Sequence, residues 1–181
     1  MPLPHYTQSR ASSQRFEPIQ PNLFEVTIFS PLGDDTGLIL EQVKSIGGLN
    51  NVNPTIEAIN QKYKFADRSY AGMPSSTVVD LTINFTLNLN EANENYIYNT
   101  FRNWNNIIYD PLTGEMGLKK DYVGSMIVVQ YNRAGDIFRK ITFKDVFPTG
   151  QPDFVDELNY ETQDAAELTM TYRCDHWVEE N

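Results

Sequence analysis

The chain has 181 residues, 40% of them hydrophobic, and a net charge of −10 from 24 acids and 14 bases. This length suits a single domain, and no apolar run approaches the ~20 residues of a membrane-spanning helix. The N-terminal residues lack the basic-then-apolar pattern of a secretion signal. The single cysteine, Cys174, excludes an intrachain disulfide and a cysteine-based zinc site. We therefore expect a protein of a reducing cytoplasm, or of a particle assembled there.

The acidic residues are concentrated at the C-terminal end of the sequence. From Gly150 onward there are nine acids and one base, Arg173, whereas the first 149 residues hold 15 acids and 13 bases. Nucleic-acid-binding surfaces need clustered Lys and Arg, so this distribution argues against one. Such an excess of acids is typical of a soluble acidic protein, and equally of a surface that does not retain a polyanion.

The N-terminal half of the sequence predicts a flexible arm and then two strands. Residues 1–20 are polar, proline-containing and without periodicity, which is typical of an unstructured arm. Alternating apolar residues predict strands at 22–29 and at 38–46. Residues 49–76 favour an extended, hairpin-like arm over a helix, because Asn-Pro and repeated Asn discourage helix formation. Within this arm, residues 70–76 have the composition of a loop.

The clearest pattern in the chain is a long alternating strand over Val79–Asn90. Its apolar positions are all large, and its polar positions are short and mostly uncharged: Val79, Leu81, Ile83, Phe85, Leu87 and Leu89 alternate with Asp80, Thr82, Asn84, Thr86, Asn88 and Asn90. Because successive side chains point to opposite faces, this strand has one dry and one wet face. The wet face suits an ordinary solvated sheet, and it also suits a surface that lines a water-filled passage or meets another subunit.

One amphipathic helix is predicted over residues 90–109. Asn90 can cap its N-terminus, and Asp110-Pro111 should end it. Four large apolar residues recur at spacings of four, three and four, which places them on one helix face: Ile97, Phe101, Trp104 and Ile108. This stripe is typical of a helix packed on a core, and it is a weak candidate for a cofactor site.

The C-terminal half predicts three more strands. They cover Ser125–Tyr131, Ile137–Val146 and Ala165–Cys174, and residues 132–136 form a hairpin turn between the first two. Residues 147–152 contain two prolines and should interrupt the sheet. The predicted fold class is mainly β (α+β), an antiparallel β-sandwich or partial barrel with one flanking α-helix.

The sequence offers no convincing catalytic, metal-binding or cofactor-binding site. His5 and His176 are the only histidines, and neither has the surroundings of a Ser-His-Asp arrangement. The acidic pairs Asp34-Asp35 and Asp156-Glu157 lack the spacing of a calcium loop. Gly47-Gly48 is not followed by the Lys-Ser/Thr of a phosphate-binding loop. We therefore expect no enzyme activity and no cofactor, and favour a structural or binding role.

Eight short motifs, in order, give the sequence a family resemblance. The chain resembles the tail tube proteins of contractile-tailed bacteriophages and, more distantly, the inner tubes of contractile injection and type VI secretion systems. The resemblance covers residues 21–178 and rests on Pro21–Val26, Lys64–Arg68, Asn90-Glu91-Ala92, Phe101, Trp104, Gln130-Tyr131 with its Arg-Ala-Gly turn, Phe147-Pro148-Thr149 and Asp175-His176-Trp177. The N-terminal arm is longer than in the family, and Ser69–Ser76 resembles an insertion. These departures leave a tube-initiating or baseplate protein as an alternative.

The resemblance implies hexameric rings stacked into a hollow tube, with sheath and baseplate proteins as partners and DNA passing through the lumen without specific binding. It implies sheets that close into a larger barrel on oligomerisation, and a place in a virion tail assembled in the host cytoplasm, without membrane insertion. We expect the wet face of the long strand to line the lumen, and negative charge on the wall to repel phosphates. The lumen-facing candidates are Asp80, Thr82, Asn84, Thr86 and Asn88. The candidates for contact with the next ring are Asn53, Ile56, Ile59, Tyr63, Phe65, Arg68 and Tyr70.

A rival hypothesis is a monomeric binding module, such as a carbohydrate-binding sandwich. Such a module needs an exposed aromatic platform, to which Tyr96, Tyr98 and Tyr109 could contribute. A module should remain near 20.8 kDa at every concentration, whereas a tube protein should form rings or polymers.

Overall fold

A computed structural model of the chain describes residues 19–33, 41–52, 54–75, 78–87, 96–150 and 165–180. Its strands are β1 (Phe24–Phe29), β2 (Val43–Gly47), β3 (Thr55–Lys62), β4 (Asp67–Ser75), β5 (Val79–Thr86), β6 (Gly124–Tyr131), β7 (Ile137–Pro148) and β8 (Glu167–Glu180). Its helices are α1 (Tyr96–Ile108) and the single turn α2 (Lys119–Tyr122), with a 3-10 turn at Leu49–Val52. No helix within these ranges is both long and apolar enough to cross a membrane.

Six of the strands form one antiparallel sheet in the order β1-β6-β7-β8-β5-β2. This sheet curls into a nearly closed barrel, while β3 and β4 pair only with each other. The predicted fold class is therefore confirmed: the protein is mainly β, with α1 against the sheet as its one long described helix. The barrel is formed by one curved sheet, and not by the two packed sheets of a sandwich.

The sheet bends where β7 and β8 cross from one half to the other. Residues Glu167–Cys174 of β8 pair with β5, and residues Tyr172–Glu180 pair with β7. At this crossing Asp145 has a φ of 55° and lies at a register shift between β6 and β7. Such bulges let a strand turn a corner between two parts of a sheet. The bend lets one long strand contribute to both halves of the barrel.

Helix α1 lies against the core through the apolar stripe of its sequence. Ile97, Phe101 and Trp104 are fully buried, and Ile108 is half-buried against the same cluster. The Trp104 indole Nε1 donates a hydrogen bond of 2.7 Å to the Tyr122 carbonyl, which ties α1 to α2. Space for the indole depends on Gly124, because a Cβ there would lie 3.0 Å from the Trp104 ring and 2.3 Å from the Phe29 carbonyl oxygen.

Several strand boundaries differ from those predicted. Strand β1 begins at Phe24 and strand β8 at Glu167, each two residues later than predicted. Strand β2 begins at Val43, because residues 41–42 are helical, while residues 38–40 lie outside the described ranges. Strand β7 continues through Pro148, where the sequence predicts a break. Strand β8 continues six residues beyond Cys174, because β7 supplies partners as far as Lys140. Cross-strand pairing, which is not local in sequence, decides where β7 and β8 end.

The other differences concern the arm and the ends of two elements. Residues 70–75 belong to β4 and are not a loop. The strand accommodates Gly72 at a bulge opposite Glu57. It also accommodates Pro74, because each strand of a two-stranded ribbon is an edge strand. Strand β5 ends at Thr86, and Leu87 is described but lies beyond the strand, so the predicted strand is too long there. The rest of the predicted extensions, over residues 88–95, lies outside the described residues. The turn at 132–136 forms as the sequence predicts, with Gly135 at a φ of 88°.

One buried hydroxyl, that of Tyr172, has no hydrogen-bond partner among the described residues. Its ring packs edge-on to Phe101, with ring centroids 5.7 Å apart. Burial raises the pKa of this phenol far above its ordinary value, so the group stays neutral. We expect Tyr172→Phe to increase the free energy of unfolding by about 1 kcal/mol, because an unsatisfied buried hydroxyl is costly. Urea denaturation measures this, and a loss of stability would reveal a partner such as an internal water.

Candidate assembly surfaces

The outer surface of β2, β5 and the first half of β8 forms a continuous polar face. We call it the polar face; it consists of Lys44, Ser45, Asp80, Thr82, Asn84, Thr86, Glu167, Thr169, Thr171 and Arg173. The opposite side of β5 is fully buried at Val79, Leu81, Ile83 and Phe85. Strict alternation in the sequence therefore places every large apolar side chain of this strand in the core.

The polar face carries most of the residues predicted to line a lumen. Asp80 and Thr82 are exposed, Asn84 and Thr86 are half-buried, and Asn88 lies outside the described residues. The Asn84 side chain connects three strands: its Nδ2 donates to Ser45 Oγ at 3.0 Å, and its Oδ1 accepts from Thr169 Oγ1 at 2.8 Å. Because these polar groups bind one another, the middle of the face offers few unsatisfied groups to a passing polymer.

The charges on the polar face are balanced. Arg173 binds Asp80 through two hydrogen bonds of 2.8 and 3.0 Å, and Lys44 forms an ion pair with Glu167. These two pairs account for all four charged residues of the face, so its described part has no net charge. The expectation of a negatively charged wall is therefore wrong for this face. The sequence could not reveal the balance, because both bases come from strands distant in sequence from the acids they bind.

The hydrogen bond from Arg173 lowers the pKa of the Asp80 carboxyl below its ordinary value. A lowered folded-state pKa means that the pair stabilises the fold above the unfolded pKa of about 3.9, and that this contribution disappears as the pH falls through the folded pKa. We expect Asp80→Asn to be slightly less stable than wild type at pH 7, because exposed pairs contribute little, and to equal it once the pH is below the folded-state pKa of Asp80. Thermal melts across this range measure the difference. Glu115→Gln is the control, because it removes an exposed carboxylate that forms no ion pair with any described residue.

Strands β3 and β4 form a two-stranded hairpin that leaves the barrel, which we call the arm (Thr55–Ser75). Its described side chains are exposed, except at the half-buried Gly72. The exposed residues include six of the predicted ring-contact candidates: Ile56, Ile59, Tyr63, Phe65, Arg68 and Tyr70. Asn53 lies outside the described residues. The structure adds Met73, which is 91% exposed, as is Phe65. Met73 is not among the predicted contact residues, because the sequence around it has the composition of a loop.

The tip of the arm combines aromatic rings with positive charge. Residues 62–68 hold three bases and one acid on a chain of net charge −10. The Arg68 guanidinium lies 5.8 Å from the centre of the Tyr63 ring, and the Lys64 ammonium lies 5.5 Å from that of Phe65. The turn is closed by a 2.9 Å hydrogen bond from the Tyr63 N–H to the Ala66 carbonyl. Large apolar side chains grouped on an exposed ribbon are typical of a surface that binds another molecule.

A groove of about 810 Å³ lies between the outer side of α1 and the end of β7. We call it the α1–β7 groove; it is lined by Tyr98, Arg102, Asn105, Asn106, Ile108, Tyr109, Pro111, Phe147, Pro148, Thr149, Gly150 and Arg173. Its walls include Tyr98 and Tyr109, two of the three tyrosines proposed for an aromatic platform. The side chain of the third, Tyr96, is not among those that the structure describes. The sequence could not locate this groove, because its two sides are about forty residues apart.

No protein-family model matches this sequence, and no curated protein matches it. Solved structures do match its fold. A chain of the anti-feeding prophage cap (the tube terminating cap) aligns with a TM-score of 0.62 and 15% identity, over 96% of this chain and 97% of that one. A chain of the sheath/tube terminator of the extracellular contractile injection system PVC aligns at 0.59 and 15%, over 92% and 99%. A chain of the PVC sheath–tube complex aligns at 0.56 and 14%, over 98% and 99%.

The chain thus shares its fold with chains from the cap, sheath–tube and terminator assemblies of contractile injection systems. The fold is shared over nearly the whole of both chains, so the similarity extends well beyond a common barrel core. At 14–15% identity the similarity establishes the fold alone.

Proposed function

We propose that this protein is a structural subunit of a contractile tail-like machine, and that it forms rings which stack into a hollow tube inside a sheath. The observation that carries the proposal is the fold match to tube, terminator and cap assemblies over at least 92% of this chain. The resemblance in sequence motifs points to the same class of protein. We expect six subunits in each ring, sheath and baseplate proteins as partners, and a virion tail assembled in the host cytoplasm as the setting.

The polar face suits the wall of the tube. Its uncharged side chains are short, its described charges cancel, and its central amide is held between Ser45 and Thr169. A polyanion such as DNA needs clustered cations to bind tightly, and this face offers none that is unpaired among its described residues. DNA would therefore slide along it because nothing retains the phosphates, and not because a negative wall repels them.

The arm suits contact between rings. It is a hydrogen-bonded ribbon, which holds its apolar and basic side chains away from the barrel. Its basic tip complements the acidic character of another copy of the chain, which has a net charge of −10 as a whole. Assembly would cover Phe65 and Met73, the two most exposed apolar side chains of the arm.

A second candidate is an end ring of the same tube. Two of the matching structures are a tube terminating cap and a sheath/tube terminator, and an initiating ring of a baseplate or a tube of a bacterial injection device belongs to the same class. A tube subunit should polymerise by itself with rising concentration, whereas an end ring should stop at one ring.

Sedimentation velocity with negative-stain microscopy tests the proposal. A tube subunit gives particles whose length grows with protein concentration, and an end ring gives particles of one size. A species that remains at 20.8 kDa at every concentration would overturn both and support a monomeric binding module.

A further inference from the structure

The α1–β7 groove differs in charge from the molecule that contains it. Two arginines, Arg102 and Arg173, line the groove, and none of its described lining residues is acidic. The chain as a whole has 24 acids against 14 bases. A local reversal of charge in a concave site indicates a ligand of the opposite sign.

Only one of the two arginines has its charge neutralised by a described partner. Arg173 binds Asp80 on the polar face through its Nε and one terminal nitrogen. Arg102 is exposed on α1 and forms no ion pair with any described residue. Its guanidinium is a planar fork that can bind a carboxylate through two parallel hydrogen bonds.

The rest of the groove combines aromatic walls with amide groups. Tyr98, Tyr109 and Phe147 provide apolar surface, and Asn105 and Asn106 provide donors and acceptors of the kind that bind a peptide backbone. One end is fixed, because Asn105 Nδ2 donates to the Gly150 carbonyl at 3.2 Å. The Phe147 ring is itself held by an edge-on contact with Tyr122, with ring centroids 5.6 Å apart. Two of the lining side chains, Asn105 and Phe147, are therefore held in place by the fold.

We propose that the α1–β7 groove binds an extended acidic peptide segment of another protein, with a carboxylate on Arg102 and an apolar side chain between the aromatic walls. Single-stranded nucleic acid also combines negative charge with aromatic stacking. It is disfavoured here, because one uncompensated cation cannot replace the counterions of several phosphates on a chain of charge −10. The proposal does not depend on tube formation, since such a segment could come from any partner.

Fluorescence anisotropy of the full chain tests this with a short labelled peptide of Glu, Leu and Phe residues. We expect binding, a loss of affinity of about tenfold or more in Arg102→Glu, and a smaller loss in Arg102→Lys, which keeps the charge without the fork. Lys120→Glu reverses the charge of another exposed cation outside the groove lining, so its affinity should stay within about twofold of wild type. Circular dichroism checks that each variant is folded. We expect all of them to fold, because the changed side chains, Arg102 and Lys120, are exposed.

Three outcomes would overturn the proposal. An analogous peptide with Gln in place of Glu could bind as tightly, which would exclude recognition of a carboxylate. An oligothymidine could bind more tightly than the peptide and lose its affinity in Arg102→Glu, which would make the groove a nucleic-acid site. Finally, the acidic peptide could fail to bind at millimolar concentration. These results leave the tube proposal untouched, because that proposal is tested by particle size.

Discussion

Shortening the arm is expected to abolish tube growth while leaving the barrel folded. Ala58 and Ala71 are cross-strand partners, so an Asn-Gly turn can join them in place of residues 59–70. This change removes Phe65, Arg68 and the rest of the basic, aromatic tip. If the arm contacts the next ring, the variant should give monomers or single rings at concentrations where wild type gives long tubes. Negative-stain microscopy of both proteins at matched concentrations measures the effect.

The control for this experiment keeps the length of the arm and removes its side chains. A variant with a Gly-Ser segment of equal length at 59–70 should also fail to grow tubes, because the contact depends on the apolar and basic groups. The melting temperature of the barrel should change little in both variants, since the described side chains of the arm lie outside the buried core. Long tubes from the shortened protein would exclude the arm as the ring contact.

Truncating Trp104 is expected to have the largest effect on folding. Its side chain is fully buried, its ring centroid lies 5.9 Å from that of Tyr172, and its indole N–H binds the Tyr122 carbonyl. Removing a buried aromatic side chain costs about 3–5 kcal/mol, and the lost hydrogen bond adds about 1 kcal/mol. Since domains are stable by only about 5–15 kcal/mol, Trp104→Ala should lose a large part of the free energy of unfolding.

Two further variants separate the contributions at this site. Trp104→Phe keeps an aromatic ring and loses the hydrogen bond to Tyr122, so its free energy of unfolding should fall between those of wild type and Trp104→Ala. Tyr109→Ala changes a residue that is half exposed just after the same helix, and should cost much less. Urea denaturation gives all three values. If Trp104→Ala lost under about 1 kcal/mol, the packing of α1 on the sheet would contribute little to stability.

The parts of the fold that follow local patterns could be predicted from the sequence. Period-two alternation at 79–86 and the spacing from Ile97 to Trp104 each define one buried face, and both faces are buried in the structure. These patterns are local because a strand and a helix repeat over a few residues. The mainly β class with one long helix follows from them.

Features that depend on partners distant in sequence could not be predicted. Pro148 remains in β7 because it pairs with Tyr172, and His176 belongs to β8 because it pairs with Lys144. The neutrality of the polar face depends on the pairs Asp80–Arg173 and Lys44–Glu167, each of which joins segments far apart in the chain. Local composition records the acids and the bases but not which of them meet.

The most direct test is a cryo-electron microscopy reconstruction of the assembled particle at a resolution that shows side chains. We predict stacked rings around an open bore, with Thr82 and Asn84 on the surface of the bore and the arm in contact with the neighbouring ring. A reconstruction with the Asn84 row on the outer surface, or sealed against another subunit, would contradict the assignment of the polar face to the lumen.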